Sequence, residues 1–453
     1  MGQESMSLPE APGTCHNVTP RRQRRFATKV RTGCITCRIR RIKCDEAKPY
    51  CHRCTSTGRK CDGYAILGPA TRKPQSPPAQ PTPGGNPEER QALYIFRTKV
   101  AMSIASSLDF GFWAHDLLQT AETYRTVQHA VVALATAYRS SILIEHGSRT
   151  QERQFILTQY NKSITSLQHC LSNQELLTRD QKVIILMVNL VFICICAVQG
   201  FQEEACVHLR NGLSLFHEWQ LGVSEGSTQA STPTPVKLLA TLYTQLDTQA
   251  RMIMESSYPH KMRLWPPHSV VLDGWGSGHL ATITKATSQL ERLHNASIQL
   301  TTPPGPPEHE NTCLHQHMPL YHHLQTWDLD FGPLLSQGGT AIKYLQIRRL
   351  LTGANFELWR SNTSKAPGPS PTWASKILEL VNEIMQDSRF LEARVVFTPA
   401  GGLVEALYFV ATRCHDTRVK RVAIEILERR PILEGLWNSS MAYAALHNHH
   451  ATW

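Results

Sequence analysis

Cys34, Cys37, Cys44, Cys51, Cys54 and Cys61 spell C-x2-C-x6-C twice, the second copy displaced from the first by 17 residues at every cysteine. Zinc prefers four thiolates in a tetrahedron, and a C-x2-C turn presents two sulfurs to one ion at about 2.3 Å each. Two unshared shells of four would exceed the six sulfurs present, so two ions are satisfied only if two cysteines bridge them. The spacing therefore predicts a binuclear cluster of two zinc ions.

The residues between the cysteines are basic. RIRRIK fills the gap from Cys37 to Cys44. On a helix, at about 100° per residue, it would put Ile39 and Ile42 on one face, expected to pack on the cluster, and Arg40 and Arg41 on the other. Arg38 and Lys43 flank them. Arginine forks to guanine O6 and N7 in the major groove, each good pair giving about 1 to 3 kcal/mol of discrimination. The matching gap in the second half, TSTGRK, holds only Arg59 and Lys60. Base reading is therefore expected from the first half, with Arg41 as the main contact. Arg38, Arg40, Lys43, Arg53, Arg59 and Lys60 are expected on phosphates, where binding is salt-dependent.

The stretch GCITCRIRRIKCDEAKPYCHRCTSTGRKCDGY resembles the fungal binuclear zinc cluster DNA-binding domain, matching its cysteine spacing throughout. The resemblance implies that Cys34 and Cys51 bridge, that Cys37 and Cys44 complete one shell, and that Cys54 and Cys61 complete the other. Pro49 falls where the family usually has a loop proline. It also implies double-stranded DNA with CGG-type triplets as the partner. The family very often has lysine where this chain has Arg40 and Arg41, and reads bases there partly through main-chain carbonyls. Its members are sequence-specific regulators of RNA polymerase II promoters in the nucleus, mostly activators, frequently tied to secondary-metabolite gene clusters. They act on the transcription machinery or co-regulators. Members of the larger family classically dimerise through a heptad coiled coil after the cluster. Here DGYAILGP and a run of prolines follow without an a/d repeat, so a homodimer would have to use the rest of the chain. A monomer on a single triplet is the alternative.

Charge agrees with a polyanionic partner. Residues 1 to 73 carry 16 Lys and Arg against 5 Asp and Glu, which accounts for the net charge of +11; the remaining residues hold 31 of each sign. A basic module on an uncharged body is the footprint of a nucleic-acid binder. Arg21, Arg22, Arg24 and Arg25, with Lys29 and Arg31 beyond, form a candidate nuclear-import signal or an extra phosphate-binding arm. The start lacks an apolar stretch for secretion and places Met6 where myristoylation wants Ser or Thr. A reducing compartment is expected, so the cysteines read as thiols or metal ligands instead of disulfides. A module that binds a protein or RNA partner without specific DNA recognition is the alternative function. The gap between Cys37 and Cys44, however, lacks the aromatic residues that single strands stack on.

These signals divide the chain into a disordered 1–20, a basic arm and zinc cluster at 21–64, a Pro-rich linker at 65–90, and a helical regulatory domain at 91–453. The fold class is thus a small metal-stabilised cluster joined by the linker to a mainly α-helical domain. Val127, Ala130, Val131, Leu134 and Tyr138 make one helical stripe; Cys206, Leu209, Leu213 and Phe216 make another. Leu403, Ala406, Leu407 and Val410 make a third, followed by Val422, Ile426 and Leu427 after a break at His415 and Asp416. Three segments, 112–140, 200–219 and 402–437, resemble the fungus-specific regulatory domain found behind such clusters, which is helical. The apolar run Val183 to Val198, broken only by Asn189, falls short of the roughly 20 residues a membrane span needs and reads as a buried helix.

No enzyme is expected. P-loop and H-E-x-x-H patterns are absent. Cys414 and His415 are neighbours, which a helix would point about 100° apart, unsuited to a nucleophile and its base. His309, Cys313, His315, His317, His322 and His323 have a metal-binding composition but no finger spacing. Trp113, Trp219 and Trp437 are read as packing residues.

Overall fold

The structure, a computed structural model, describes residues 33–62, 85–105, 109–143, 149–171, 177–221, 234–257, 282–301, 310–364, 372–387, 390, 395–399 and 401–450. The chain divides into two compact units, 1–79 and 80–453. The described part of the first holds two short helices, α1 (Ile35–Ile39) and α2 (His52–Thr55), packed over buried cysteines.

The second unit is helical almost throughout. It opens with α3 (Pro87–Ile95), whose first turn carries several start signals. Asn86 accepts the Glu89 amide at 2.8 Å, Pro87 occupies the first turn, and Glu88 and Glu89 suit the positive helix end. Pro87 therefore begins a helix, whereas the sequence placed the linker as far as residue 90. Most of that linker, at 65–84, lies outside the described residues. π-helical turns at Phe96–Val100 and Phe112–Asp116 lead into α4 (Ala101–Ile104) and α5 (Leu117–Thr123). Next comes α6 (Arg125–Tyr138), in which 12 of 14 residues are buried, including the whole Val127 to Tyr138 stripe. It packs against α3, α5, α7 (Arg149–Leu171) and α8 (Arg179–Gln199).

The long apolar run lies in α8. A Thr178–Gln181 capping box starts this helix, and Gly200, in the left-handed region at φ 84°, ends it. By length and composition its 21 residues could cross a membrane, yet 78% of its most apolar window is buried inside the protein. Asn189, the polar interruption, accepts the Tyr243 hydroxyl at 2.8 Å. The following helix, α9 (Gln202–Glu218), presents Leu209 and Leu213 to the core and crosses α8 at Gly212, where a Cβ would strike Asn189 and Tyr243.

Beyond it run α10 (Thr234–Ser257), α11 (Ile283–Thr301), α12 (Glu310–Leu335), α13 (Thr340–Ser364) and α14 (Thr372–Met385). Ala286, Leu290 and Leu293 of α11 join Trp327 and Phe331 of α12 and Ile342 and Leu345 of α13 in a second apolar core. Then follow β1 (Val396–Thr398), α15 (Leu403–Arg413), α16 (Thr417–Arg429), β2 (Ile432–Glu434), β3 (Trp437–Asn438) and α17 (Ser439–His450). The strands form a small sheet, β1 parallel to β2 and β2 antiparallel to β3, which the sequence reading did not foresee. Of the third apolar pattern, Leu403, Ala406, Leu407 and Val410 are buried on α15 and Leu427 on α16. Val422 is instead exposed, because Ala423 takes the inward position.

A buried ionic network ties α10, α11, α13 and α15 together. Arg348 Nη1 donates to both Glu405 carboxylate oxygens at 2.7 Å, and its Nε donates to Glu291 at 3.0 Å. His294 Nε2 meets Glu405 at 2.7 Å, and Gln245 Nε2 donates to Glu291 at 3.0 Å. Burial alone would raise the Glu405 carboxyl, but Arg348 and His294 outweigh it and hold it at about 2.

Candidate metal centre and nucleic-acid interface

Each C-x2-C turn leads into a short helix that holds its pair of sulfurs inward, α1 bearing Cys37 and α2 bearing Cys54. The Cys37 amide donates to Cys34 Sγ at 3.4 Å. The resulting edges meet face to face. Cys34 Sγ lies 3.5 Å from Cys51 Sγ and 3.8 Å from Cys54 Sγ; Cys37 Sγ lies 3.7 Å from both. A tetrahedral zinc with bonds of about 2.3 Å has sulfur–sulfur edges of about 3.8 Å, so the spacing fits metal-bridged thiolates. It is much longer than the roughly 2.05 Å of a disulfide.

Cys44 lies against Cys37 and Cys51, and its Sγ accepts the amides of Cys34 and Glu46 at 3.4 Å each. Cys61 is buried against Cys34. The structure thus brings all six predicted cysteines together, and Cys34, Cys37, Cys51 and Cys54 each meet a sulfur of the other half. Burial pushes the Cys34 thiol up to about 12 and raises those of Cys37 and Cys51. Such thiols give up protons only when a cation replaces them.

Two anchoring residues escaped the sequence reading. Asp45 accepts the His52 amide at 2.8 Å, fixing the start of α2 from the first half. Thr36 Oγ1 donates to the Asp62 carboxylate at 2.9 Å and accepts the Asp62 amide at 3.0 Å, latching the end of the module onto α1. A carboxylate or hydroxyl beside a metal-ligand cysteine was the available signal. Pro49 follows a cis peptide bond.

Arg41, Lys43, Arg53, Arg59 and Lys60 are exposed. Arg40 is half-buried, with Nη1 enclosed and unpartnered among the described residues, so part of its guanidinium faces the module. The Arg38 side chain and Arg21, Arg22, Arg24 and Arg25 lie outside the described residues.

The expected helical face is corrected. α1 stops at Ile39, and Arg41 takes a left-handed conformation at φ 55°. Ile39 and Ile42 do not pack on the cluster; they are 75% and 39% exposed. Cys34 and Cys37 determine the inward side of α1, and at about 100° per residue Ile39 falls nearly opposite them.

In the second unit Cys414 is buried and His415 exposed. Cys414 is not helical, as the neighbour-angle reading assumed, but forms the extended cap of α15. Trp113 and Trp437 are core residues and Trp219 caps α9, its ring facing Lys182. The side chains of His309, Cys313, His315 and His317 lie outside the described residues, and His322 is exposed.

Comparisons with known proteins match both units. The fungal Zn(2)-Cys(6) binuclear cluster domain matches residues 32–68 and the fungal specific transcription factor domain matches 93–297. The "Aspercryptin biosynthesis cluster-specific transcription regulator atnN" of Emericella nidulans is 30% identical over 253 residues, 48% of this chain and 39% of that protein. The "Transcription regulator lscL" of Purpureocillium lilacinum is 28% identical over 214 residues, 41% of this chain and 49% of that protein. The "Transcriptional regulatory protein moc3" of Schizosaccharomyces pombe is 64% identical over 36 residues, 8% of this chain and 7% of that protein. The chain thus spans no more than about half the length of these relatives, and no solved structure matches it. The chain thus carries a fungal Zn(2)-Cys(6) binuclear cluster domain, of the type that holds two zinc ions, with a fungal specific transcription factor domain behind it, and its relatives are fungal Zn(2)-C6 transcription regulators.

Proposed function

We propose that the module binds duplex DNA sequence-specifically at CGG-type sites in RNA polymerase II promoters, in the nucleus, and that the protein activates a secondary-metabolite gene cluster. The observation that carries this reading is a set of exposed Arg and Lys on a module whose buried cysteine sulfurs are spaced for zinc. The E. nidulans relative, described as cluster-specific, supports the pathway class.

Cys34, Cys37, Cys44 and Cys51 would hold one ion and Cys51, Cys54, Cys61 and Cys34 the other, Cys34 and Cys51 bridging. The bound zinc supplies cationic cross-links that fix the two loops without a large core. Arg41 lies past the end of α1, where an exposed guanidinium can fork to a guanine edge. Lys43, Arg53, Arg59 and Lys60 neutralise phosphates and set affinity and salt dependence. Arg40 contributes less than the sequence suggested because part of it is enclosed. Arg21, Arg22, Arg24 and Arg25 serve nuclear import or extend the phosphate contacts.

Titrating the zinc-loaded protein with CGG-containing, scrambled and single-stranded probes tests the reading. Preference for the CGG duplex, lost on chelation, is expected. Equal affinity for all three probes, or unchanged binding after chelation, would overturn it. Chromosomal occupancy and transcript levels in a deletion strain then identify the regulated genes and the sign of regulation.

A further inference from the structure

α1 turns an apolar side away from the cluster. Ile35 and Ile39 lie one turn apart on it, 38% and 75% exposed, and no described residue covers Ile39. Single exposed aliphatic residues are common on protein surfaces. This one, however, sits among exposed Arg41 and Lys43 and half-exposed Arg40, on a short helix whose opposite side is committed to sulfur. That charge selects a polyanion as the surface that meets it. The edges of bases in the major groove offer donors, acceptors and one apolar group, the C5 methyl of thymine.

We infer that Ile39 is a specificity-determining residue that packs on a thymine methyl beside the bases contacted by Arg41. The inference rests on the duplex-binding reading above. Arg41 supplies a hydrogen-bonded contact to guanine and Ile39 an apolar one, so the preferred site carries a thymine next to its G-rich triplet. 5-Methylcytosine presents the same methyl group and substitutes for that thymine if its pairing is accommodated.

The test uses the full zinc-loaded chain. Duplexes are first selected from a randomised library, and each thymine in the protected region is then replaced singly by deoxyuridine, which lacks only the methyl. One replacement is expected to weaken binding about fourfold, the worth of one buried methyl. Ile39→Ala should show that loss already on the thymine duplex and no further loss on deoxyuridine, while Ile39→Val retains most of the methyl preference. Zinc content and thermal unfolding of the variants should match the parent, since the side chain is exposed. Equal deoxyuridine penalties in parent and Ile39→Ala, a selected site without thymine, or lower zinc content in Ile39→Ala would each overturn the inference. The last would show that Ile39 is covered within the chain. Failure to select any duplex refutes instead the DNA-binding reading beneath it.

Discussion

Cys34 and Cys51 are the positions where one atom decides most. Each sulfur lies within reach of partners from both halves, and with the proposed bridging the loss of either would remove a ligand from both shells. Metal binding supplies most of the folding free energy of so small a domain. Cys34→Ala or Cys51→Ala is therefore expected to unfold the module and abolish zinc retention, read by elemental analysis; two ions retained would overturn the bridging assignment. At Arg41 the backbone and side chain can be separated. A non-glycine residue at φ 55° is strained, so Arg41→Gly should preserve or improve folding yet relax base preference, as Arg41→Ala also does. Lys60→Ala should weaken all sequences alike and lower the salt slope by about one. Parallel titrations on cognate and scrambled duplexes at several salt concentrations distinguish the two. The ligands were legible because metal chemistry fixes residue type and spacing. The outward turn of Ile39 was readable too, but only by taking the cysteines, and not the isoleucines, as the inward side of the helix.

Between elements, geometry that periodicity cannot express takes over. The α6 and α15 stripes are buried as read, since apolar spacing reports burial directly. The three-stranded sheet was not legible, because strands of two or three residues are too short to show alternation. Gly212 likewise carries no pattern, though α9 needs its missing side chain to approach Asn189 and Tyr243. Gly212→Ala should cost about 1 to 3 kcal/mol in denaturant unfolding, as overpacking does. The Arg348–Glu405 pair joins α13 to α15 and is pH-sensitive in one direction. Glu405 is held at about 2, below its ordinary 4.5, so an unfolded chain takes up its proton first. Its contribution is complete above about pH 4.5 and is lost as the pH falls towards 2. Glu405→Gln should flatten that acid loss in unfolding measured against pH. Arg348→Met strands two buried carboxylates and should cost about 3 to 5 kcal/mol.

On the scale of the whole chain, the two units rely on different physics. The described helices of the first are 5 and 4 residues long, while those of the second reach 26 and enclose extensive apolar cores. A chelator added to intact protein should abolish duplex binding while leaving the far-UV helical signal largely in place. Loss of that signal would mean that the body also depends on metal. Charge shows the same division, with the excess confined to residues 1–73. The ionic network in the body carries one more consequence. Glu291 and His294 fall within the stretch matched by the family model, which ends at 297 inside α11, whereas Arg348 and Glu405 lie beyond it. A gene trimmed at that edge would cut through a knot whose two ends need each other, and the leftover polypeptide should clump when produced in cells. A fragment that keeps this network whole must run at least through α15, well past the end of the matched stretch.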